Sequence, residues 1–246
     1  NEEKLRACGK DHPEIALFTD YREMLRRADL DLVSIASPNF AHVDQAVACL
    51  EAGKHVFLEK PMGVDAAEHD RILQAWRRSG KNLGIDFEIR VSPCLERIRA
   101  LIDSGRYGRL RRIEYFHHCG AWLESGSGLW RLRPETSGGF LLECPIHYVD
   151  VCRSVAGEVA AVQSVAGPNV LPHYRLEDNM CTHLFFAGGA LATLLISHTH
   201  SAMPGNPSDW SNAPDFMAAM GHDMSMIFTL TGGSIGLDFV KPAIQI

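Results

Sequence analysis

The chain contains no apolar run near the ~20 residues that a bilayer-spanning helix needs, and no secretory signal pattern precedes its first elements. Its seven cysteines are scattered and odd in number, with neither a CxxC pair nor zinc-type spacing. That usage speaks against a disulfide framework and suits a reducing, cytoplasmic setting. Basic residues form no stripe: the net charge is -6, and the densest basic cluster, Arg109, Arg111 and Arg112, flanks a strand-like run. No nucleic-acid footprint follows from such a pattern. Internal repeats and low-complexity tracts are also missing. What remains is a chain of 246 residues, 46% hydrophobic and 22% charged, able to bury a substantial core in one large or two modest domains.

The first third alternates strands and helices. Residues 2–8 read as a helix, followed by a strand and a second helix up to Arg27. Residues 32–36 are a short continuous apolar run stopped by Ser37-Pro38-Asn39, the pattern of a buried strand. Over 41–52, Val43, Ala46, Val47 and Leu50 follow the spacing of one apolar helix face, with Gly53 at the exit. A strand over 55–58 then puts Glu59, Lys60 and Pro61 at its carboxyl end. Asp65 and Glu68 form a capping-box pattern before Ile72, Leu73 and Trp76, and 82–87 is strand-like again. Unbroken apolar strands alternating with helices indicate parallel pairing, hence a doubly wound α/β domain over 1–88. In such sheets ligands bind at the carboxyl edge, where a lysine can donate to a substrate oxygen while its stem stays packed. A solvated Glu/Lys turn is the alternative for Glu59-Lys60.

Residues 89–246 have another texture. A helix over 90–104 carries Leu95, Ile98 and Leu101, and a strand over 110–118 follows. Gly188-Gly189 and Gly232-Gly233 each stand between alternating apolar runs, the signature of hairpins. The expectation is an α+β domain with a mostly antiparallel open sheet, and a long loop over 201–221. Between Gly138 and Asp150, spacings of four and three put Glu143, His147 and Asp150 on one stripe of a single helix, beside an apolar stripe of Leu142, Ile146 and Val149. A histidine, whose unperturbed pKa is about 6.5, can exchange protons there with a carboxylate orienting its ring. Spacing alone leaves this open against an exposed Glu-His pair. Trp122 and Trp130 suit sugar-stacking platforms or core aromatics equally. His117-His118 and the His198/His200 pair end strands but lack a clustered carboxylate or cysteine at ligand spacing, so no metal site is expected.

The run Asp31-Leu-Val-Ser-Ile-Ala-Ser-Pro-Asn-Phe-Ala-His42, then Ala52-Gly-Lys-His-Val and Glu59-Lys60-Pro61, resembles the dinucleotide-binding half of the glucose-fructose oxidoreductase / inositol dehydrogenase (Gfo/Idh/MocA) family. Arg90-Val-Ser-Pro93, Asp103-Ser-Gly-Arg-Tyr-Gly108, Trp130-Arg131, Gly138-Gly139 through His147 and Asp150, and Glu177-Asp178-Asn179 stand in the order that family shows. The resemblance spans nearly the whole chain. It implies a partial Rossmann-type domain over 1–88 and a substrate and oligomerisation domain over 89–246. It also implies hydride transfer between NAD or NADP and a sugar-like or cyclitol-like substrate, in a homo-oligomer assembled through the second domain's sheet. Carried over residue by residue, Lys60 takes the substrate oxygen, His147 handles the proton and Glu143 positions the ring. Ser37, Pro38, Asn39, His42, Glu59, Lys60, Pro61 and Arg131 face the cofactor, and Arg90, Trp122, Trp130 and Asp150 face the substrate. Rival readings are an NAD-dependent glycosidase of the same family, a catalytically silent binding relative and a metal-dependent hydrolase.

Three departures qualify the match. No Gly-x-Gly-x-x-Gly occurs; Gly126-Ser-Gly128 and Gly232-Gly233-Ser-Ile-Gly236 do not open a helix after a buried strand. The chain therefore reads as a fragment lacking the glycine turn, and the residue that chooses NAD or NADP would lie upstream. Glu143 stands where the family more often has aspartate, and Pro145 where glycine is common.

Overall fold

The computed structural model describes residues 2–27, 29–120, 130–143, 145–169, 175–200, 223–239 and 243–246. The chain divides into two compact units, Asn1–Asp86 and Phe87–Ile246.

The first unit runs α1 (Glu2–Asp11), α2 (Tyr21–Leu25), β1 (Leu32–Ile35), α3 (Asn39–Glu51), β2 (His55–Glu59), α4 (Ala66–Ser79) and β3 (Leu83–Asp86). Its three strands pair in parallel in the order β1-β2-β3, with Leu58 opposite Ile35 and Ile85, and Glu59 opposite Asp86. Val33, Ile35, Val56 and Leu58 pack against Val43, Ala46, Cys49 and Leu50 of α3 and Ile72 and Ala75 of α4. Burying each large apolar side chain there contributes about 1.5–3 kcal/mol. Asp65 caps α4 by accepting from Glu68 N at 2.8 Å; Glu68 returns the bond to Val64 N at 2.7 Å, one residue before the cap. The strand expected between α1 and α2 does not form. Residues 12–20 pair with no strand, and Ile15 and Leu17 of that short run are exposed.

In the second unit, a 3-10 turn (Glu88–Val91) leads into α5 (Pro93–Asp103), then β4 (Leu110–Gly120), α6 (Pro134–Ser137), α7 (Phe140–Glu143), α8 (Ile146–Ala156), β5 (Val159–Ala166), β6 (Asn179–Phe186), β7 (Leu191–His200), β8 (Asp223–Leu230), β9 (Gly233–Asp238) and β10 (Ala243–Gln245). The single helix expected over 90–104 is split because Ser92 caps α5, accepting from Leu95 N, and Pro93 occupies its first turn. A proline fits there, where its missing N–H has no helical acceptor to lose. The sheet order is β10-β9-β8-β4-β7-β6-β5, antiparallel except for the central β4-β7 pair. Leu95 and Ile98 of α5 and Val151 and Cys152 of α8 cover one face, packing on Tyr115, Leu194, Ile196 and Phe228. β5 was not anticipated: Val162 and Val165 are about 60% exposed, so the strand lacks the buried alternation that marks the others. The hairpins at Gly188-Gly189 and Gly232-Gly233 form as expected, with their strands in register. The expected 201–221 loop and Trp122 lie outside the described residues. Among the described residues, no helix is long and apolar enough to cross a membrane.

Candidate active-site residues in the two units

Parallel pairing brings the carboxyl ends of β1, β2 and β3 to one edge of the small sheet. The β1–α3 connection carries Ser37, Pro38 and Asn39, and β2 is followed by Lys60, which joins Pro61 through a cis peptide bond. Glu59 and Lys60 are half-buried; Asn39 is buried at the start of α3. Ser37 Oγ donates to Gln45 Oε1 at 2.7 Å. His42, in the first turns of α3, is fully buried. Its Nδ1 lies 2.7 Å from Pro61 O and its Nε2 2.7 Å from Ser37 O, so both ring nitrogens meet backbone.

In the second unit the charged groups form ion pairs. Glu143, His147 and Asp150 do not share one uninterrupted helix. Helix α7 stops at Glu143, and Pro145 takes the N-cap of α8, with Tyr148 N and Val149 N donating to its carbonyl. The cause is the proline itself, which starts a helix readily and cannot donate within one. His147 and Asp150 remain on one face of α8, and both are buried.

The preceding 3-10 turn meets that face. Glu88 Oε2 lies 3.2 Å from His147 Nδ1, Phe87 packs edge-on against the imidazole, and Arg90 donates Nε and Nη2 to the two carboxylate oxygens of Asp150, each at 2.7 Å. The Asp150 carboxylate is 6% exposed and holds the half-exposed Arg90 guanidinium above its ordinary pKa by hydrogen bonding. A second bridge follows the same plan. Arg131 Nε donates to Glu143 Oε1 at 2.6 Å, the carboxylate again buried, while the guanidinium lies 4.6 Å from the Trp130 ring centre. In each pair a buried carboxylate fixes an arginine that keeps one side toward water.

Of the residues singled out from the sequence, Arg90 and Asp150 bind each other, and Arg131 engages Glu143. Among the described residues, Glu88 offers a carboxylate within ion-pair distance of His147 Nδ1. Glu88 carried no signal, because a one-turn 3-10 segment has no periodicity to read, and Phe87 was read only as the end of a strand-like run. Among the described residues, no group of three or more His, Cys, Asp or Glu side chains is arranged to hold a metal ion.

Comparison with known proteins accords with both folds. Residues 1–87 match the profile of an oxidoreductase family with an NAD-binding Rossmann fold, and residues 95–210 match that of the GFO/IDH/MocA C-terminal domain. A 1-carboxy-3-chloro-3,4-dihydroxycyclohexa-1,5-diene dehydrogenase from Comamonas testosteroni is 33% identical over 164 residues, 66% of this chain and 41% of its own. A 1,5-anhydro-D-fructose reductase from Ensifer adhaerens is 30% identical over 179 residues, 71% of this chain and 52% of its own. The chain thus spans about half the length of the curated relatives it matches. Among solved structures, the WlbA dehydrogenase from Bordetella pertussis, in complex with NADH and UDP-GlcNAcA, superposes with a TM-score of 0.81 at 22% identity, covering 98% of this chain and 64% of that one. The two profiles tile the two units in order, and the chain belongs to the Gfo/Idh/MocA family of oxidoreductases.

Proposed function

We propose that the protein transfers a hydride between a nicotinamide dinucleotide, NAD or NADP, and a ring carbon bearing a hydroxyl or carbonyl group on a sugar-like or cyclitol-like substrate. The relatives named for a dihydroxycyclohexadiene and an anhydrofructose support that substrate class. The observation that carries the reading is the buried His147 imidazole, 3.2 Å from the Glu88 carboxylate, in a chain whose other unit offers Lys60 at the carboxyl edge of a parallel sheet.

The donor set on the small sheet suits the cofactor in part. Ser37, Pro38, Asn39, Glu59, Lys60 and Pro61 offer an ammonium, a hydroxyl and a buried amide on two adjoining loops. These would hold the nicotinamide end, while no glycine-rich phosphate cradle occurs in the sequence. When bound, the nicotinamide supplies the hydride chemistry.

The chain's own residues do the rest. Lys60 donates a hydrogen bond to the reacting oxygen and stabilises its developing negative charge. His147 takes the hydroxyl proton during oxidation and returns it during reduction, its cation stabilised by Glu88 at Nδ1. Arg90 and Arg131, each fixed on one side by a buried carboxylate, present their remaining N–H groups to substrate hydroxyls. Trp130 gives Arg131 a flat backing. Glu143 and Asp150 act through those arginines.

A cytoplasmic location accords with the five cysteines that form no disulfide among the described residues, and self-association through the larger sheet accords with the apolar Phe185 and Ile227, each near 40% exposed.

The test is Lys60→Ala in the complete protein, with cyclic polyols as substrates and reduced nicotinamide followed by absorbance. Turnover should fall by orders of magnitude at saturating dinucleotide. Unchanged turnover removes Lys60 from the chemistry.

A further inference from the structure

His42 is the least exposed ionisable side chain at the edge of the small sheet, with no solvent-accessible surface. It belongs to α3, yet its ring spans two other segments. Nδ1 meets the carbonyl of Pro61 beyond β2, and Nε2 meets the carbonyl of Ser37 beyond β1, both at 2.7 Å. Pro61 directly follows Lys60. A ring with no exposed surface and both nitrogens on backbone cannot reach a ligand; what it can fix is the distance between the two loops.

We propose that His42 is a positioning residue for Lys60: by holding the Pro61 carbonyl, it sets the backbone point from which the lysine side chain extends. The proposal rests on the reading that Lys60 acts on the substrate oxygen. The physical need is plain. A lysine side chain has a fixed length and carries about 2 kcal/mol of rotamer entropy, so the backbone point from which it extends bounds where its ammonium can reach. A shift of about 1 Å in a reacting group can cost about a hundredfold in rate. Each ring contact is a hydrogen bond only where the nitrogen carries a proton, one in the neutral ring and two in the protonated ring, and the proposal requires that proton on Nδ1.

Asparagine places its amide nitrogen near the position of Nδ1, and glutamine near that of Nε2. In the complete protein, His42→Asn therefore keeps a donor for Pro61, and His42→Gln keeps one for Ser37. The expected result is a kcat for His42→Gln at least tenfold below that of His42→Asn, with the dinucleotide KM of the two alike. A ring that merely fills space predicts instead that activity follows thermal stability, whichever amide is present. Equal kcat values for the two variants, or kcat tracking the melting temperature, would overturn the proposal. His42→Leu adds a third point, expected at or below His42→Gln; should it fail to fold, the Asn/Gln comparison still decides. Lys60→Ala is assayed alongside. If it retains turnover, the underlying reading of Lys60 fails and the proposal with it, whereas an inactive Lys60→Ala beside indifferent His42 variants refutes the positioning role alone.

Discussion

The Arg90–Asp150 bridge should be markedly asymmetric when it is cut from either side. Its two 2.7 Å bonds join a carboxylate that is 6% exposed to a guanidinium side chain that is 47% exposed. Removing one partner of a fully buried pair costs about 3–5 kcal/mol, because the other charge is left without compensation. Arg90→Ala imposes that loss on the buried partner. With one side of the pair already wet, the figure falls to about 2–3 kcal/mol. Asp150→Asn strands the half-exposed partner instead: Arg90 turns into water, and the amide oxygen still accepts one bond, so the cost is about 1 kcal/mol. The double variant should be more stable than Arg90→Ala alone, since the stranded carboxylate is gone. Urea unfolding reads this out through the near-ultraviolet dichroism of Tyr115 and Tyr148, stacked at 3.9 Å within the same unit. With a slope of about 1–3 kcal/mol per M, Arg90→Ala should lower the midpoint by about 0.7–3 M. Equal losses from the two single variants, or strict additivity in the double, would refute the reasoning.

Two further outcomes follow from burial and backbone. Gly108 has φ +78, and a Cβ there would lie 1.9 Å from Thr231 Oγ1, which cannot turn away without losing its 3.1 Å bond from Arg109 N. Gly108→Ala should therefore cost about 2–3 kcal/mol, the left-handed strain plus the displaced hydroxyl, against about 1 kcal/mol for Gly105→Ala, where φ is +66 and no atom lies within 4 Å. Thermal melts of the two variants give the comparison, and equal losses would show that the hydroxyl yields freely. Burial pushes the Cys49 thiol up to about 11 and the Cys152 thiol up to about 12, from 9.0. Both thiols keep their protons in the fold after the unfolded chain has lost them. Their stabilisation is thus whole below pH 9 and drains as pH rises, until about 11 in the first unit and 12 in the second, at up to about 1.4 kcal/mol per pH unit for each thiol. Denaturant titrations across that range should show the decline, and Cys→Ala variants should flatten it. A slope that persists unchanged in those variants would assign it elsewhere.

What could be read from the sequence was whatever repeats within an element. The β1-α3-β2-α4-β3 order was legible because Val43, Ala46 and Leu50 mark one helix face and because residues 32–36 and 55–58 are short apolar runs, while Asp65 and Glu68 announced the α4 start. Both glycine hairpins declared themselves in the same way. β5 escaped because its partnership with β6 is made by the backbone, and its side chains, largely exposed, leave no alternation. The strand expected between α1 and α2 is the reverse error, since residues 12–20 pair with no strand. Pro145 and Pro93 explain both split helices, and in each case the proline was visible while the boundary it imposed was not.

Partner choice for charged groups was illegible for a different reason. Helical spacing predicts which side chains share a face, and it correctly kept His147 and Asp150 together. It says nothing of what the neighbouring segment brings to that face. Arg90 and Asp150 are 60 residues apart, Glu88 and His147 are 59, and the contacts are made by a 3-10 turn too short to have a pattern. His42 repeats the lesson in the first unit, its Nδ1 committed to a carbonyl 19 residues away. These contacts share one physical logic. A polar group taken out of water must find a partner of suitable reach. The more deeply it is buried, the more its partner is decided by whatever backbone happens to pass within about 3 Å, and the less by its own sequence neighbours. Charged residues that a motif nominates separately should therefore be expected to occupy one another, as Arg90 and Asp150 do, leaving for a ligand only the edges that a buried carboxylate does not already hold.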